Sequence, residues 1–174
     1  MQLTKPITYL FAALMLVMVQ LAVVQKASAA LTIEISEGVD SALPIAVVPF
    51  DTSGVTVKFP IDLAQIVASD LNRSGVLKAM DRAQLPATPH YSKQVQYARW
   101  RNAEQDYLVV GRVLEKSPGL YTIEFQLLDV LKQKQLVGRS MPAKKRNLRS
   151  RAHQISDFIY EQITGTRGAF DTRI

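Results

Sequence analysis

A chain of 174 residues with no cysteine, two histidines and a formal charge of +6 excludes several chemistries before any motif is read. Without thiols there is no disulfide, no lipid-modified cysteine, no thiol nucleophile and no Cys-ligated metal. The basic excess favours solubility and mild attraction to anionic surfaces, and by itself does not imply nucleic acid.

The first feature in chain order is a leader. Lys5 gives a positive start, Ile7–Val24 is apolar except for Thr8, Tyr9 and Gln20, and Ala27-Ser28-Ala29 supplies the small-x-small pattern that signal peptidase accepts. The pattern predicts a signal peptide over residues 1–29, cleaved between Ala29 and Ala30. The competing reading is an uncleaved anchor, because the apolar run just reaches the ~18 residues of a short membrane span. Cleavage removes 29 of 174 residues, Lys5 and Lys26 among them, leaving 145 residues at +4. That length suffices for one domain with its own core. Export makes nucleic acid a still poorer candidate partner, and cleavage leaves no stable membrane insertion.

Behind the leader, Leu31, Ile33 and Ile35 alternate with Thr32, Glu34 and Ser36, the period-two pattern of a strand with one apolar face. Ile45–Val48 is apolar throughout, as in an interior strand covered on both sides, and Pro49 stops it. Asp51–Lys58 reads as a loop. Pro60 and Asp62 open a helix whose stripe is Leu63, Ile66, Val67 and Leu71, closed by Ser74-Gly75. Val76–Met80 returns as a strand, giving a strand–helix–strand unit. Ala83–Pro89, with Pro86 and Pro89, reads as surface loop. Ser92–Gln105 is predicted as a second helix, with Val95, Ala98 and Ala103 inward. Tyr107–Val113 is strand-like, Ser117-Pro118-Gly119 a turn, and Tyr121, Ile123, Phe125 and Leu127 alternate with polar neighbours. Lys132–Lys134 is a polar tip leading to Gln135–Met141, which completes an antiparallel meander. A third helix starts at Asn147 as N-cap, with Leu148, Ala152, Ile155, Ile159 and Ile163 on one face, and Gly165 and Gly168 close it. The expected fold is α+β, a mixed sheet of about five strands with two or three helices packed on it, over residues 44–168. Residues 30–43 form a separate strand and turn in front of it.

Catalytic patterns are hard to find. His90 sits in a Pro-rich loop and His153 on the predicted outer side of the third helix, neither with a carboxylate or second histidine at ligand spacing; both read as solvated. Ser28, Ser41, Ser53 and Ser74 lack the flanking glycines of a nucleophile elbow. The pairs Asp40/Asp51 and Asp62/Asp70 are candidates for acid–base work, but Asp62 and Asp70 read better as a solvated helix edge. No catalytic, cofactor-binding or metal-ligating set emerges, and the expectation is a non-enzyme. The run Lys144-Lys145-Arg146, continued by Arg149 and Arg151, lacks the interleaved aromatics of a nucleic-acid patch. It reads as a solvated loop entering a helix, although cations at a helix N-terminus oppose the dipole and suit an anionic partner or lipid surface. Trp100 with Tyr97 reads as a core corner.

The N-terminal strand carries the strongest functional reading. Leu31–Ser36 is either an ordinary edge strand or a segment that pairs with the sheet edge of another protein. In the second case its backbone would give affinity, and Leu31, Ile33 and Ile35 would fill pockets. Rival readings are an exported ligand-binding or hydrolase domain using the loops around Asp51 and His90, and an interaction domain still anchored by residues 1–29.

Gly38-Val39-Asp40-Ser41, followed by Pro44-Ile45-Ala46-Val47-Val48-Pro49-Phe50, resembles the opening of mature TolB-family proteins. The similarity continues through Ile66–Leu71 with Ser74-Gly75, Asp81-Arg82 with Leu85-Pro86, Val109-Val110-Gly111, the helix His153–Glu161 and Ile163–Ile174. The resemblance implies an α/β amino-terminal domain in a periplasmic protein of the Tol-Pal system, serving outer-membrane integrity and envelope constriction at cell division. It further implies that Ala30–Ser41, Glu37 included, binds the C-terminal domain of a TolA-like inner-membrane protein. The family continues into a β-propeller that carries most of the contact with the lipoprotein Pal. Residues 169–174 read as the start of the connection to it, so a Pal-like partner is in doubt for the residues present.

Overall fold

The computed structural model describes residues 42–172 except residue 57. The predicted leader, the Ala29/Ala30 cleavage site and the partner-binding segment Ala30–Ser41 lie outside the described residues.

The centre of the body is a six-stranded mixed sheet. Its strands are β1 (Leu43–Val47), β2 (Asp51–Gly54), β3 (Leu77–Ala79), β4 (Tyr107–Ser117), β5 (Leu120–Asp129) and β6 (Lys134–Lys144). The helices are α1 (Leu63–Arg73), α2 (Tyr97–Asn102) and α3 (Leu148–Thr164). Across the sheet the order is β3-β1-β4-β5-β6, with β2 also on β4. β1 runs parallel to both β3 and β4, so β1–α1–β3 is the expected strand–helix–strand unit. β4, β5 and β6 form the antiparallel meander.

β1 is covered on both faces, as its unbroken apolar run requires. Ile45 and Val47 join the core beneath α1 and α3 with Val109, Phe125, Leu127 and Ile155. Ala46 and Val48 face a smaller core with Trp100, Leu108, Val110, Leu128 and Val130. Trp100 is fully buried there, with Tyr97 packed against the cluster, the core corner its position suggests.

Four expectations are corrected. Asp51–Gly54 is strand, not loop: Pro49 interrupts the ladder without ending it. Val47 opposes Val109 and Asp51 opposes Arg112, so four steps on one strand match three on the other, and the extra residue is absorbed as a bulge. The stretch Ser92–Gln105 is broken into a 3₁₀ turn at Ser92–Gln94, an extended Val95 and the six-residue α2, and Ala98 is exposed. Packing Val95, Tyr97 and Trp100 together on the second core overrides helix continuity. Leu85 and Ala87 also pack on that core, so their Pro-containing segment covers the sheet as well as crossing the surface. Asn147 occupies the N-cap position, but its Oδ1 accepts the Lys144 backbone N–H at 2.6 Å and no helix amide.

Local chemistry sets the remaining boundaries. Asp62 caps α1, its Oδ1 accepting the Gln65 N–H at 2.9 Å. Gly165 ends α3 at φ +72°, the left-handed conformation a helix C-terminus favours for glycine.

Candidate functional site

The polar groups expected to be solvated are not all at the surface. Asp70 is 1 % exposed, and its carboxylate joins α1 to α3. Its Oδ2 accepts from His153 Nδ1 at 2.7 Å and lies 2.9 Å from Ser156 Oγ, while Oδ1 pairs with the Arg73 guanidinium. The Ser156 hydroxyl is fully buried and also lies 3.1 Å from the Ala152 carbonyl. Both the solvated-edge reading of Asp70 and the outer-face reading of His153 are therefore corrected. The signal was in the spacing: Asp70 falls seven residues after Leu63 and three after Val67, inside the apolar stripe of α1. An acid in such a place requires a partner, because burial of an unpaired carboxylate is prohibitive.

An Asp, a His and a Ser within hydrogen-bonding distance invite comparison with a hydrolytic triad, and the geometry answers it. In a triad the serine hydroxyl gives its proton to the imidazole and faces the substrate. Here the hydroxyl faces the carboxylate and has no exposure, so it can neither be activated by His153 nor meet a substrate. The cluster is a clamp between helices.

The loops around Asp51 and His90 form no comparable set. The Asp51 carboxylate accepts the Ser53 N–H at 2.8 Å, and that hydrogen bond foremost holds it below the usual carboxylate range. The His90 backbone N–H donates to Gln94 Oε1 at 2.8 Å, and its buried Nδ1 has no hydrogen-bond partner. Nearby, on the sheet face beyond the Trp100 cluster, Arg112 and Glu124 pair across β4 and β5 at 2.7 Å. Among the described residues no group of three or more His, Asp or Glu side chains is arranged to hold a metal. A groove of about 590 Å³ opens beside the bulge and the start of α1, lined by Phe50, Val55, Phe59, Ile61 and Val113 among others. It also holds Asp62, whose carboxylate is committed to the Gln65 amide and, at 2.6 Å, to Arg82. This groove offers apolar surface rather than reactive groups.

The end of α3 holds the following chain. Asp157 accepts the backbone N–H groups of Phe170 at 2.8 Å and Asp171 at 3.3 Å, while Phe170 meets Tyr160 edge-on at 5.8 Å between centroids. Asp171 reaches Ser150 Oγ at 2.8 Å and Gln154 Nε2 at 2.6 Å. Gly168 makes this approach possible, since a Cβ there would lie 2.7 Å from the Asp157 Cα.

Comparison with known proteins gives one consistent answer. The profile of the TolB amino-terminal domain matches residues 31–136. The Tol-Pal system protein TolB of Thioalkalivibrio sulfidiphilus is 42 % identical over 148 residues, covering 85 % of this chain and 34 % of its own. The TolB of Xanthomonas oryzae is 40 % identical over 170 residues, covering 98 % of this chain and 38 % of its own. Among solved structures, TolB from Acinetobacter baumannii superposes with a TM-score of 0.65 at 32 % identity, over 78 % of this chain and 32 % of that one. The chain thus spans about a third of the length of the relatives it matches.

Proposed function

This chain belongs to the TolB amino-terminal domain family, and from that premise we propose that it acts as a periplasmic, non-enzymatic adaptor of the Tol-Pal system. Its partner is the C-terminal domain of a TolA-like inner-membrane protein, bound through Ala30–Ser41. In that role it supports outer-membrane integrity and envelope constriction during division. The observation that carries the reading is where the family match begins: at Leu31, so that it includes the alternating apolar and polar residues of Leu31–Ser36. A strand with one apolar face at the front of a processed chain suits addition to a partner's sheet edge, where main-chain hydrogen bonds supply affinity and alternate side chains supply specificity. Supporting this, the one Asp–His–Ser cluster among the described residues is turned inward as a helix clamp.

The test is deletion of Leu31–Ser41, which abolishes binding to the TolA C-terminal domain while the circular-dichroism spectrum and melting temperature stay unchanged. Ile33→Asp, on the apolar face, weakens binding more than Thr32→Asp on the other. Affinity that survives the deletion refutes the assignment. Intact mass of the exported protein places its first residue at Ala30; a mass retaining residues 1–29 favours the anchored reading instead.

A further inference from the structure

We propose that the end of the body formed by the β4–β5 hairpin and the entrance to α3 docks on an anionic phospholipid surface. Of the basic run noted in the sequence, Arg151 is drawn into the fold, its Nη1 donating to Gln154 Oε1 at 2.6 Å, and the other four are not. Lys144, Lys145, Arg146 and Arg149 are all exposed, and none of their charged groups is in an ion pair with a described residue. The sheet register brings something else to them. Leu120, 43 % exposed at the hairpin tip Ser117–Leu120, stands opposite Lys144. Lys116, also exposed, precedes the same turn. An apolar side chain on an exposed turn, with Lys144 facing it across the sheet, Lys116 just before the turn and Lys145, Arg146 and Arg149 following Lys144 in the chain, matches an interface in which ammonium and guanidinium groups meet lipid phosphates while the tip enters the headgroup layer.

Hydrogen bonds from neutral donors leave the carboxylates at this end charged, and the five cations outnumber Glu115 and Asp171. Glu115 accepts from the Thr56 N–H at 2.8 Å and from its hydroxyl at 2.7 Å, and Asp171 is held by Ser150 and Gln154. A lipid surface fits better than an acidic polypeptide, because an exposed apolar side chain accompanies the cations at the turn. Among the described residues no helix is long and apolar enough to cross a membrane, so the contact is one of docking and not of spanning.

The test uses the full chain and vesicles of equimolar phosphatidylglycerol and phosphatidylcholine, with pure phosphatidylcholine vesicles measuring what residues 1–29 contribute. The chain prefers the anionic vesicles, and raising the salt removes the preference. Replacing Lys144, Lys145, Arg146 and Arg149 by glutamine lowers partitioning onto anionic vesicles by at least about a hundredfold, at roughly fivefold per basic residue near such a surface. Leu120→Ser lowers it about fivefold without changing the salt dependence. Equal binding by the glutamine variant, equal binding to both vesicle types, or indifference to Leu120→Ser overturns the proposal. So does binding to poly-glutamate without preference for anionic vesicles, which would assign the patch to an acidic polypeptide.

Discussion

Removing the Asp70 carboxylate is the sharpest perturbation of this fold. Asp70→Ala takes away the acceptor shared by His153 and Ser156, one 19 % exposed at its side chain and the other fully buried. The stranded His153 donor costs about 1–3 kcal/mol, whereas the Ser156 hydroxyl keeps the Ala152 carbonyl at 3.1 Å and loses about 1 kcal/mol. The Arg73 partner is 68 % exposed at its side chain, so solvent screening limits its share to under about 0.5 kcal/mol. The expected loss is about 2–4 kcal/mol. Urea unfolding followed through the buried Trp100 would show it as a midpoint lowered by roughly 1–2 M. Ser156→Ala alone costs about 1 kcal/mol, and its combination with Asp70→Ala costs less than the sum, since both remove one interaction. Replacing Asp70 and His153 by Leu together with Ser156→Ala recovers most of the loss, because no buried polar group is then left unpaired. A midpoint for Asp70→Ala within about 0.3 M of the parent chain, or strict additivity with Ser156→Ala, would refute the clamp.

Gly111→Ala destabilises by about 1–3 kcal/mol, because its Cβ would lie 2.8 Å from the Glu124 carbonyl oxygen and 3.0 Å from the Phe50 ring. Gly138→Ala meets only the flexible Gln135 side chain, at 2.7 Å, and costs under ~1 kcal/mol; equal melting temperatures for the two variants would contradict this ranking. Asp62 is held below the ordinary carboxylate value chiefly by its hydrogen bond from Arg82, so its contribution to stability is present above about pH 4 and is lost as pH falls through the depressed folded value. Arg82→Met raises the Asp62 titration midpoint in an NMR titration, and an unmoved midpoint would show that the pair does not set it. Gly168→Ala accelerates hydrogen exchange at the Phe170 amide relative to amides in β4, whereas unchanged protection would mean that Asp157 does not hold this segment.

What the sequence revealed and what it concealed divide along physical lines. Ile45–Val48 announced a strand covered on both faces, and Tyr121 to Leu127 announced one with a single apolar face, because burial imposes those periods directly on side-chain type. The helix stripes of α1 and α3 were legible for the same reason. Pro49 misled, since whether proline ends a strand or sits in a bulge depends on the neighbouring strand, here β4 from sixty residues later in the chain. The continuous helix expected over Ser92–Gln105 failed in another way: the tertiary contacts of Val95 and Trp100 outweigh the helical propensity of the stretch around them. Asp70 and His153 were hidden by distance, because their pairing across 83 positions exists only once α1 lies against α3. The basic run from Lys144 to Arg151 was plain in the sequence, but its neighbourhood with Leu120 came only with the sheet register.

The hold of Asp157 on the amides of Phe170 and Asp171 has a mechanical outcome. The backbone passing Thr172 takes its heading from α3, and α3 in turn is riveted to α1 through Asp70. Any displacement of that helix would therefore carry Phe170 and Asp171 along with it, as cargo lashed to its carrier.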